Sequence, residues 1–309
     1  MALHRLTKIV VGVTDVATAI PFYEEFGLAH LGNGRFATAD GGEQLELAEG
    51  VRRQLVEIGI GCDDPDDVAR VVHELERSGI PHAREGEDVV AHDAGSGVRA
   101  RVTIAPRYEQ LVAEQPATNG PGVTARANAP APGTSRSGPV QPRKLGHVII
   151  GSTEVEASER LFIDVLGFQV SDTIRDVGKF VRCSTDHHNL MVSKSRARYL
   201  HHTSWQVDDL DDVGRGASHM VRQDPTRHVW GLGRHNVGSN FFYYLLDPAG
   251  NFVEYYSDLD VITDPLCWNV GDWGPRESAA AWGPKPPRGF FSPEGLPDAV
   301  AEVMMKGGG

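Results

Sequence analysis

The sequence has few cysteines, no long apolar run and no excess of basic residues. Its three cysteines, Cys62, Cys183 and Cys267, stand apart, without the spacing of a disulfide framework or a zinc site. No apolar stretch reaches the roughly eighteen residues of a membrane helix, and the N-terminus lacks a secretory signal, so we expect a cytoplasmic protein without a membrane partner. Acidic residues outnumber basic ones by 42 to 30, which argues against nucleic-acid binding, because phosphate contacts need clustered cations. A small-molecule partner is therefore expected.

A segment without hydrophobic periodicity divides the chain. Residues 107–143 are rich in Ala, Pro, Gly, Thr and Ser, as in a linker. On its two sides, LTKIVVGVTDVATAIPFYEEFGL from Leu6 matches LGHVIIGSTEVEASERLFIDVLGF from Leu145, with apolar positions in step. This internal duplication predicts an N-terminal domain at 1–106, the linker at 107–143, a C-terminal domain at 144–257 and a tail at 258–309.

Each predicted domain contains two strand-helix-strand-strand-strand modules. The four modules are 1–50, 51–106, 144–197 and 198–257, and each opens with a β-branched strand followed by a capped helix. This pattern predicts an α+β fold of two tandem domains, each built from paired βαβββ modules that curve around a cleft. The tail is rich in Pro, Gly and Trp, and its Trp268, Trp273 and Trp282 would allow it to fold back as a lid.

One carboxylate lies in an apolar setting near the end of the second domain. The turn sequence Asp247-Pro248-Ala249-Gly250 predicts a hairpin, and Glu254 lies within its second strand. A charge among β-branched and aromatic residues is costly to bury without a partner. Arg234 is one candidate partner, and a metal ion is the other.

Two histidines complete a metal-ligand set with Glu254. His147 and His202 lie on the first strands of modules three and four, so pseudo-symmetry predicts that they face one cleft. Two imidazoles and one carboxylate with open positions suit Fe(II), or Mn(II), and oxygen activation. His201 creates an ambiguity of one residue; strand alternation predicts that only one of the pair faces the cleft, and we choose His202.

The first domain lacks this ligand set. Lys8 and Glu57 stand where the second domain has His147 and His202, and the region Arg99–Arg101 stands opposite Glu254. The first domain is therefore predicted to bind no metal. In the second domain, His147 taken alone would suit a hydrogen-bonded core position about as well as a ligand position.

Three further residues are candidates for the chemistry. His188 is predicted on the last strand of module three, where it is a candidate acid or base. His235 and Tyr244 are predicted on adjoining strands of the hairpin, where a neutral donor would reach a substrate oxygen. The alternative is that His235 and Tyr244 have no catalytic role and are an ordinary histidine at a strand end and an ordinary tyrosine of the sheet.

In combination, these residues carry a specific family resemblance. The motifs are Leu145-Gly146-His147, Asp186-His187-His188, Leu200-His201-His202, Gly233-Arg234-His235 and Tyr244 to Gly250 followed by Glu254. The chain resembles the type I extradiol catechol dioxygenases of the vicinal oxygen chelate superfamily, from Leu6 to about Val270. The tail is similar to that of the homoprotocatechuate 2,3-dioxygenase branch at Asp264-Pro265 and Trp268-Asn269-Val270.

The resemblance implies an inert N-terminal domain and Fe(II), with Mn(II) as the alternative, bound by His147, His202 and Glu254. It assigns His188 to O2 activation and proton transfer, and His235 and Tyr244 to the substrate oxygen and the attacked carbon. It also implies that a catechol and O2 are the substrates, that both oxygen atoms enter the opened ring, and that the protein is a homo-oligomer.

One departure from the family bears on the substrate. Where the homoprotocatechuate branch has an arginine that holds a carboxylate, this chain has Trp230. We therefore expect a catechol with an apolar or aromatic substituent, although Arg276 in the tail would supply an anion contact. The substrate pocket is predicted to include Trp230, His187, Asn240 and Trp268.

Two other functions remain open at this point. A glyoxalase-type isomerase or a metal-dependent hydrolase would use the same scaffold for Lewis-acid chemistry without O2. A non-catalytic protein that binds an aromatic ligand would need no metal.

Overall fold

A computed structural model describes residues 3–50 and 54–291. The start of the second predicted module, 51–53, and the end of the predicted tail, 292–309, lie outside the described residues. Within the described part, the chain forms two sheets with few helices, as the α+β prediction requires. None of these helices combines the length and the apolar character needed to span a bilayer.

The first sheet lies in residues 5–104. Its strands are β1 (Arg5–Val13), β2 (Ala29–Gly32), β3 (Arg35–Thr38), β4 (Gly42–Glu49), β5 (Gln54–Cys62), β6 (His82–Glu85), β7 (Asp88–His92) and β8 (Arg99–Ile104). They are ordered β2-β3-β4-β1-β5-β8-β7-β6, with β1 and β5 antiparallel at the centre. Each central strand has a parallel neighbour, because β1 pairs with β4 and β5 with β8. The two modules therefore meet along β1 and β5.

The second sheet repeats this order and adds one strand from the tail. Its strands are β9 (Lys144–Ser152), β10 (Gln169–Ile174), β11 (Gly178–Arg182), β12 (Leu190–Lys194), β13 (Tyr199–Gln206), β14 (His228–Arg234), β15 (Phe241–Leu246), β16 (Phe252–Ser257) and β17 (Gly271–Trp273). They are ordered β14-β15-β16-β13-β9-β12-β11-β10-β17. The predicted tail thus contributes one strand to the second sheet, β17, which pairs with β10.

The described residues form five α-helices. They are α1 (Val16–Glu25), α2 (Pro65–Arg77), α3 (Pro132–Ser135), α4 (Val155–Glu159) and α5 (Leu210–Gln223), with 3-10 turns at Pro225–Arg227 and Pro265–Cys267. Four of the five helices, α1, α2, α4 and α5, contact strands of the sheets. Asp15, Asp64 and Asp209 cap α1, α2 and α5 by accepting backbone N–H hydrogen bonds. The helix predicted after β9 differs from its first-half counterpart, because α4 continues as a π-helix over Arg160–Val165.

The two halves share one hydrophobic core. Buried side chains from β1, β5, β9 and β13 belong to a single contiguous cluster. Residues 107–143, the predicted linker, contribute no strand to either sheet and contain only α3. The division into domains at 1–106 and 144–257, a linker at 107–143 and a tail at 258–309 stays a prediction.

Candidate metal centre

Three adjacent central strands bring the predicted ligands together. His147 lies on β9, His202 on β13 and Glu254 on β16. In the register, Ser204 of β13 is opposite both His147 and Glu254. Because alternate residues of a strand share a face, His202, two residues before Ser204, points to the same side. All three side chains therefore face the same side of the second sheet.

The ligand atoms are close enough to share one ion. The Nε2 atoms of His147 and His202 lie 3.2 and 3.4 Å from Oε2 of Glu254. One potential ligand atom from each residue lies within 4.8 Å of the others. Among residues 3–50 and 54–291, this is the one group of three His, Cys, Asp or Glu residues with such spacing. Arg234, the alternative partner for Glu254, instead pairs with Asp258 at 2.7 Å.

The electrostatics of the three residues fit a divalent cation. Glu254 is fully buried; burial opposes its ionisation, but the imidazoles of His147 and His202 outweigh burial and hold its pKa below the usual range. Burial lowers the pKa of His202 to about 4, so its imidazole is neutral near pH 7 and can bind a metal. Oε2 of Glu254 and Nε2 of His202 are buried without a hydrogen-bond partner among the described residues. A metal ion would satisfy both atoms.

The corresponding positions of the first sheet hold ion pairs. The strand registers place Lys8, Glu57 and Arg101 where the second sheet has His147, His202 and Glu254. Arg101 donates two hydrogen bonds, of 2.7 and 3.1 Å, to the carboxylate of Glu57. Lys8 lies 2.7 Å from Glu46. The charges of these side chains are therefore paired. Among the described residues of the first sheet, no group of three potential metal ligands comparable to His147, His202 and Glu254 is found.

His188 lies beside the ligand cluster but not on a strand. It precedes β12, whereas the sequence predicted a strand position, because the chain turns through 183–189 before pairing begins at Leu190. Its ring centroid is 4.1 Å from that of His147. Burial, and then the neighbouring histidines, lower the pKa of His188 well below its usual value, so the imidazole is neutral. Its Nδ1 is 3.0 Å from Nδ1 of His187; in the tautomer in which Nδ1 of His188 donates this hydrogen bond, Nε2 is the nitrogen able to accept a proton.

His235 and Tyr244 form a hydrogen-bonded pair on the other side of the cluster. The hydroxyl of Tyr244 is 3.0 Å from Nε2 of His235, and Nδ1 of His235 contacts the carbonyl oxygen of Ala279 in the tail. Because a carbonyl only accepts, Nδ1 carries the proton, and a neutral His235 accepts from Tyr244. Burial raises the pKa of Tyr244 well above its usual value, so the phenol keeps its proton.

Both histidines of the His201-His202 pair face the cavity. The alternation argument that allowed only one of them was wrong, because the register of β13 against β9 shifts between Leu200 and His202. Such a bulge lets consecutive side chains point to the same side. His201 lines the cavity, with Nδ1 2.7 Å from Nδ1 of His202 and Nε2 2.8 Å from the carbonyl oxygen of Phe290.

A cavity of about 370 Å³ adjoins the ligand cluster. Apart from the histidines its wall is mainly apolar, and it includes Ile149, Ile174, Val177, Phe180, Met191, Phe290 and Phe291. Two exposed cations, Lys194 and Arg276, also line it, and no carboxylate does so among the described residues. The tail contributes Pro275, Arg276, Ser278, Ala279, Phe290 and Phe291 to the cavity lining, and its tryptophans Trp268, Trp273 and Trp282 are not part of that lining.

Asn240 lies on this wall, whereas the other three residues predicted for the substrate pocket do not. Asn240 donates a hydrogen bond of 3.2 Å to Oε1 of Glu254, so it orients a candidate ligand. Trp230 is buried behind Tyr244, with the two rings stacked 5.6 Å apart, and donates to the carbonyl of Pro284. Trp268 packs against His187 outside the cavity, with ring centroids 5.2 Å apart.

The tail residues that complete the cavity were hardly recognisable from the sequence. Ala279 and Phe290 contact His235 and His201 through backbone carbonyls, which no side-chain pattern reveals. The adjacent Phe290 and Phe291 are the one available signal, since an aromatic pair is unusual in a segment rich in Pro and Gly.

The comparisons with known proteins agree on one superfamily. Residues 144–255 match the model of the Glyoxalase/Bleomycin resistance protein/Dioxygenase superfamily. The chain is 33% identical over 305 residues to metapyrocatechase 2 of Cupriavidus necator, a match that covers 94% of this chain and 92% of that protein. It is 26% identical to a manganese-dependent 2,3-dihydroxybiphenyl 1,2-dioxygenase of Geobacillus genomosp. 3, with 75% of this chain and 74% of the relative covered. An iron-dependent extradiol dioxygenase of Rhodococcus jostii is 30% identical over 45% of this chain and 50% of its own length.

Solved structures share the fold. Homoprotocatechuate 2,3-dioxygenase from Brevibacterium fuscum superposes with a TM-score of 0.74 at 17% identity, covering 94% of this chain and 92% of that chain. A Mn(II)-bound glyoxalase from Novosphingobium aromaticivorans gives a TM-score of 0.71 at 24% identity, covering 94% and 98%. The predicted vicinal oxygen chelate fold and the predicted family resemblance are therefore confirmed.

Proposed function

The chain belongs to the extradiol dioxygenases of the Glyoxalase/Bleomycin resistance protein/Dioxygenase superfamily, and we propose that it opens the ring of a catechol bearing an apolar or aromatic substituent. The observation that carries this proposal is the buried His147, His202 and Glu254 cluster at the edge of a mainly apolar cavity. Metal-dependent ring cleavage is common to the relatives; the substrate and the role of each residue are our proposal.

We assign the metal to Nε2 of His147, Nε2 of His202 and Oε2 of Glu254. Iron and manganese both suit two imidazoles and a carboxylate with open positions, and each is named for a relative of this chain. When bound, the metal supplies the electronic link between the catechol ring and O2. Asn240 fixes the carboxylate, because its amide donates to the oxygen of Glu254 that is not assigned to the metal.

Neutral groups on two sides of the cluster handle protons. His188 is uncharged near pH 7 because burial lowers its pKa, so it accepts a proton from a catechol hydroxyl. Tyr244 keeps its proton because burial raises its pKa, so its phenol donates a hydrogen bond to a substrate oxygen. In the structure that single phenol proton is donated to His235, so a bound substrate oxygen would replace His235 as its acceptor. The apolar wall excludes water from the reacting ring.

The wall favours an apolar substituent over an acidic one. A phenyl group that buries on the order of 100 Å² would gain about 2.5 kcal/mol. An exposed cation such as Arg276 or Lys194 contributes about 0 to 1 kcal/mol to an ion pair, because solvent screens it. Burial against Phe180, Phe290 and Met191 therefore outweighs the cations at the cavity. Trp230 supports this wall from behind Tyr244 instead of contacting the substituent.

The test is anaerobic reconstitution followed by O2. Metal-free protein is loaded with Fe(II) or Mn(II) and mixed with catechol, 3-phenylcatechol or 3,4-dihydroxyphenylacetate. O2 uptake and the yellow ring-opened product are then recorded. We expect one O2 consumed per catechol, and a higher kcat/KM for 3-phenylcatechol than for the acid.

Two outcomes contradict the proposal in different ways. A preference for the acid would overturn the substituent class. No O2 uptake with any catechol would contradict the ring-cleaving activity, and turnover of a thiol adduct or an ester without O2 would favour an isomerase or a hydrolase.

We further propose that the protein acts in the cytoplasm as a homo-oligomer. Cys62 and Cys183 are buried free thiols, which suit a reducing compartment. Sedimentation equilibrium of the metal-loaded protein tests the oligomer, and a monomer at micromolar concentration would contradict it.

A further inference from the structure

The side chain next to a proposed metal ligand is hydrogen-bonded to it. Nδ1 of His201 lies 2.7 Å from Nδ1 of His202, and both residues are buried. Two nitrogens at this distance share one proton, so one ring donates and the other accepts. Which ring donates determines whether Nε2 of His202 has the free electron pair that a metal requires.

The tail determines the direction of this hydrogen bond. Nε2 of His201 lies 2.8 Å from the carbonyl oxygen of Phe290. A carbonyl cannot donate, so Nε2 of His201 carries a proton. In the neutral form of His201 the electron pair then lies on Nδ1, which accepts the proton of Nδ1 of His202. Nε2 of His202 is left unprotonated on the side of Glu254, 3.4 Å from Oε2.

Packing holds the Phe290 carbonyl in place. The Phe290 side chain is 3% exposed, and its ring stacks on Phe252 with centroids 5.1 Å apart. The same ring contacts Trp230 and Tyr244, each with a centroid distance of 5.0 Å. The acceptor for His201 is therefore held by packing against the sheet, although it comes from the tail.

We propose that His201 is a positioning residue that selects the metal-binding tautomer of His202, and that the tail sets this choice through the Phe290 carbonyl. The inference rests on the proposed metal site. Partners of this kind fix the orientation of a ligating imidazole and raise its basicity, and their loss typically lowers metal affinity by about 10- to 100-fold. Retention of the metal thus depends on the tail as well as on the three ligands.

Two substitutions separate the two hydrogen bonds of His201. His201→Asn places a carbonyl oxygen near the position of Nδ1, so it keeps an acceptor for His202 but loses the tail contact. His201→Gln places an amide nitrogen near the position of Nε2, so it keeps the tail contact but loses the acceptor. His187→Gln is the matched control. His187 is also buried, and its Nδ1 is hydrogen-bonded to the next residue, His188, but His188 is not assigned as a metal ligand.

The measurement is the dissociation constant of Mn(II), by chelator competition without catechol or O2. We expect His201→Gln to weaken Mn(II) binding about 10- to 100-fold. His201→Asn and His187→Gln should stay within about threefold of the unsubstituted protein. Equal loss in His201→Asn and His201→Gln, or no loss in either, overturns the tautomer role. This assay measures metal binding alone. If the protein binds Mn(II) but oxidises no catechol, the proposed function is contradicted, whereas the test of the His201 proposal is unaffected.

A second measurement needs no variant. Long-range ¹H–¹⁵N spectra of the zinc-loaded protein report which nitrogen of each imidazole carries a proton. We expect a proton on Nε2 of His201 and on Nδ1 of His202. A proton on Nδ1 of His201, or metal coordination through Nδ1 of His202, would overturn the proposal even if both His201 variants failed to fold.

Discussion

Tyr23 donates a hydrogen bond of 2.9 Å to the carboxylate of Asp247, 224 residues further along the chain. Tyr23 lies on α1 beside the first sheet, and Asp247 opens the turn between β15 and β16. A second bond follows the same route, since the Tyr255 hydroxyl donates to the carbonyl of Phe26 at 2.6 Å. The half of the chain without a metal-ligand set therefore supports the hairpin that carries Glu254.

Removal of the Tyr23 hydroxyl should destabilise the whole chain. Tyr23→Phe leaves the buried Asp247 with one donor fewer, so we expect a loss of about 1 to 3 kcal/mol in the free energy of unfolding. Urea unfolding of the metal-free protein measures it. Tyr243→Phe is the control, because the Tyr243 hydroxyl bonds to His228 at the surface and its loss should cost less than about 0.5 kcal/mol. Equal losses of unfolding free energy in Tyr23→Phe and Tyr243→Phe would contradict the inference that Tyr23 stabilises the hairpin through Asp247.

The same tyrosine should make stability depend on alkaline pH. Burial, and then the charge of Asp247, raise the pKa of Tyr23 well above its usual value. The unfolded chain loses this proton near pH ~10, so the contribution of Tyr23 is fully present below that pH and is lost as pH rises towards the folded pKa. Tyr23→Phe should reduce the pH slope of the unfolding free energy above pH ~10 by up to about 1.4 kcal/mol per unit. Urea midpoints in alkaline buffers measure the slope; an unchanged slope would mean that Tyr23 ionises normally.

Substitution of Glu254 should remove the metal without unfolding the sheet. Glu254→Gln takes away the only carboxylate of the proposed ligand set. Loss of a residue that hydrogen-bonds to a ligand typically lowers metal affinity by about 10- to 100-fold, so we expect loss of the ligand itself to lower it by more than about 100-fold. Metal analysis after gel filtration measures it. Glu57→Gln changes a carboxylate of β5 in the first sheet, at the position that corresponds to His202, and its metal content should not change. Stoichiometric metal in Glu254→Gln would exclude Glu254 as a ligand.

Loss of the Tyr244 hydroxyl should slow turnover while metal stays bound. Tyr244→Phe removes the proposed donor to the substrate oxygen, and we expect kcat to fall by about 100-fold or more. Tyr243→Phe alters the next residue of β15, whose side chain points to the opposite face, and should change kcat less than about twofold. Steady-state O2 uptake on metal-loaded proteins compares the two. Similar kcat values for both would exclude Tyr244 from the chemistry.

Arg276 should matter only for charged substrates. Arg276→Met removes an exposed cation from the cavity wall. We expect kcat/KM for 3-phenylcatechol to stay within about twofold, and that for 3,4-dihydroxyphenylacetate to fall by up to about fivefold, the limit of a screened ion pair of about 1 kcal/mol. A loss of 100-fold with the acid would show that Arg276 is a primary anchor, which the apolar wall argues against.

The duplicated pattern made the centre of the molecule predictable. Leu6 and Leu145 begin equivalent strands, so the positions of His147 and His202 followed from one alignment of the chain with itself. The turn at Asp247 and Gly250 placed Glu254 on the last strand of its module. These inferences depend on local sequence and repeated topology, both of which are present in one chain.

Features that depend on register or backbone were not predictable. A bulge beside His202 turned His201 into the cavity, and hydrophobic alternation cannot locate such a shift. Trp230 was expected to contact substrate, but its strand neighbour Tyr244 lies between it and the cluster. The carbonyls of Ala279 and Phe290 are common to all residues, so their contacts with His235 and His201 emerge only from the folded tail.

The ion pairs of the first sheet limit how this scaffold could be redesigned. Lys8→His, Glu57→His and Arg101→Glu together would copy the ligand set into the vacant half, but they would also remove two cations. Glu43, Glu46, Glu85 and Asp88 now pair with those cations. Arg35 and Arg99 would still pair with Glu43 and Glu85, but carboxylates would be in excess around the new site. Such an oxygen-rich environment suits calcium or magnesium better than iron. Construction of a bimetallic variant therefore requires replacement of the surrounding acids as well as the three ligand positions.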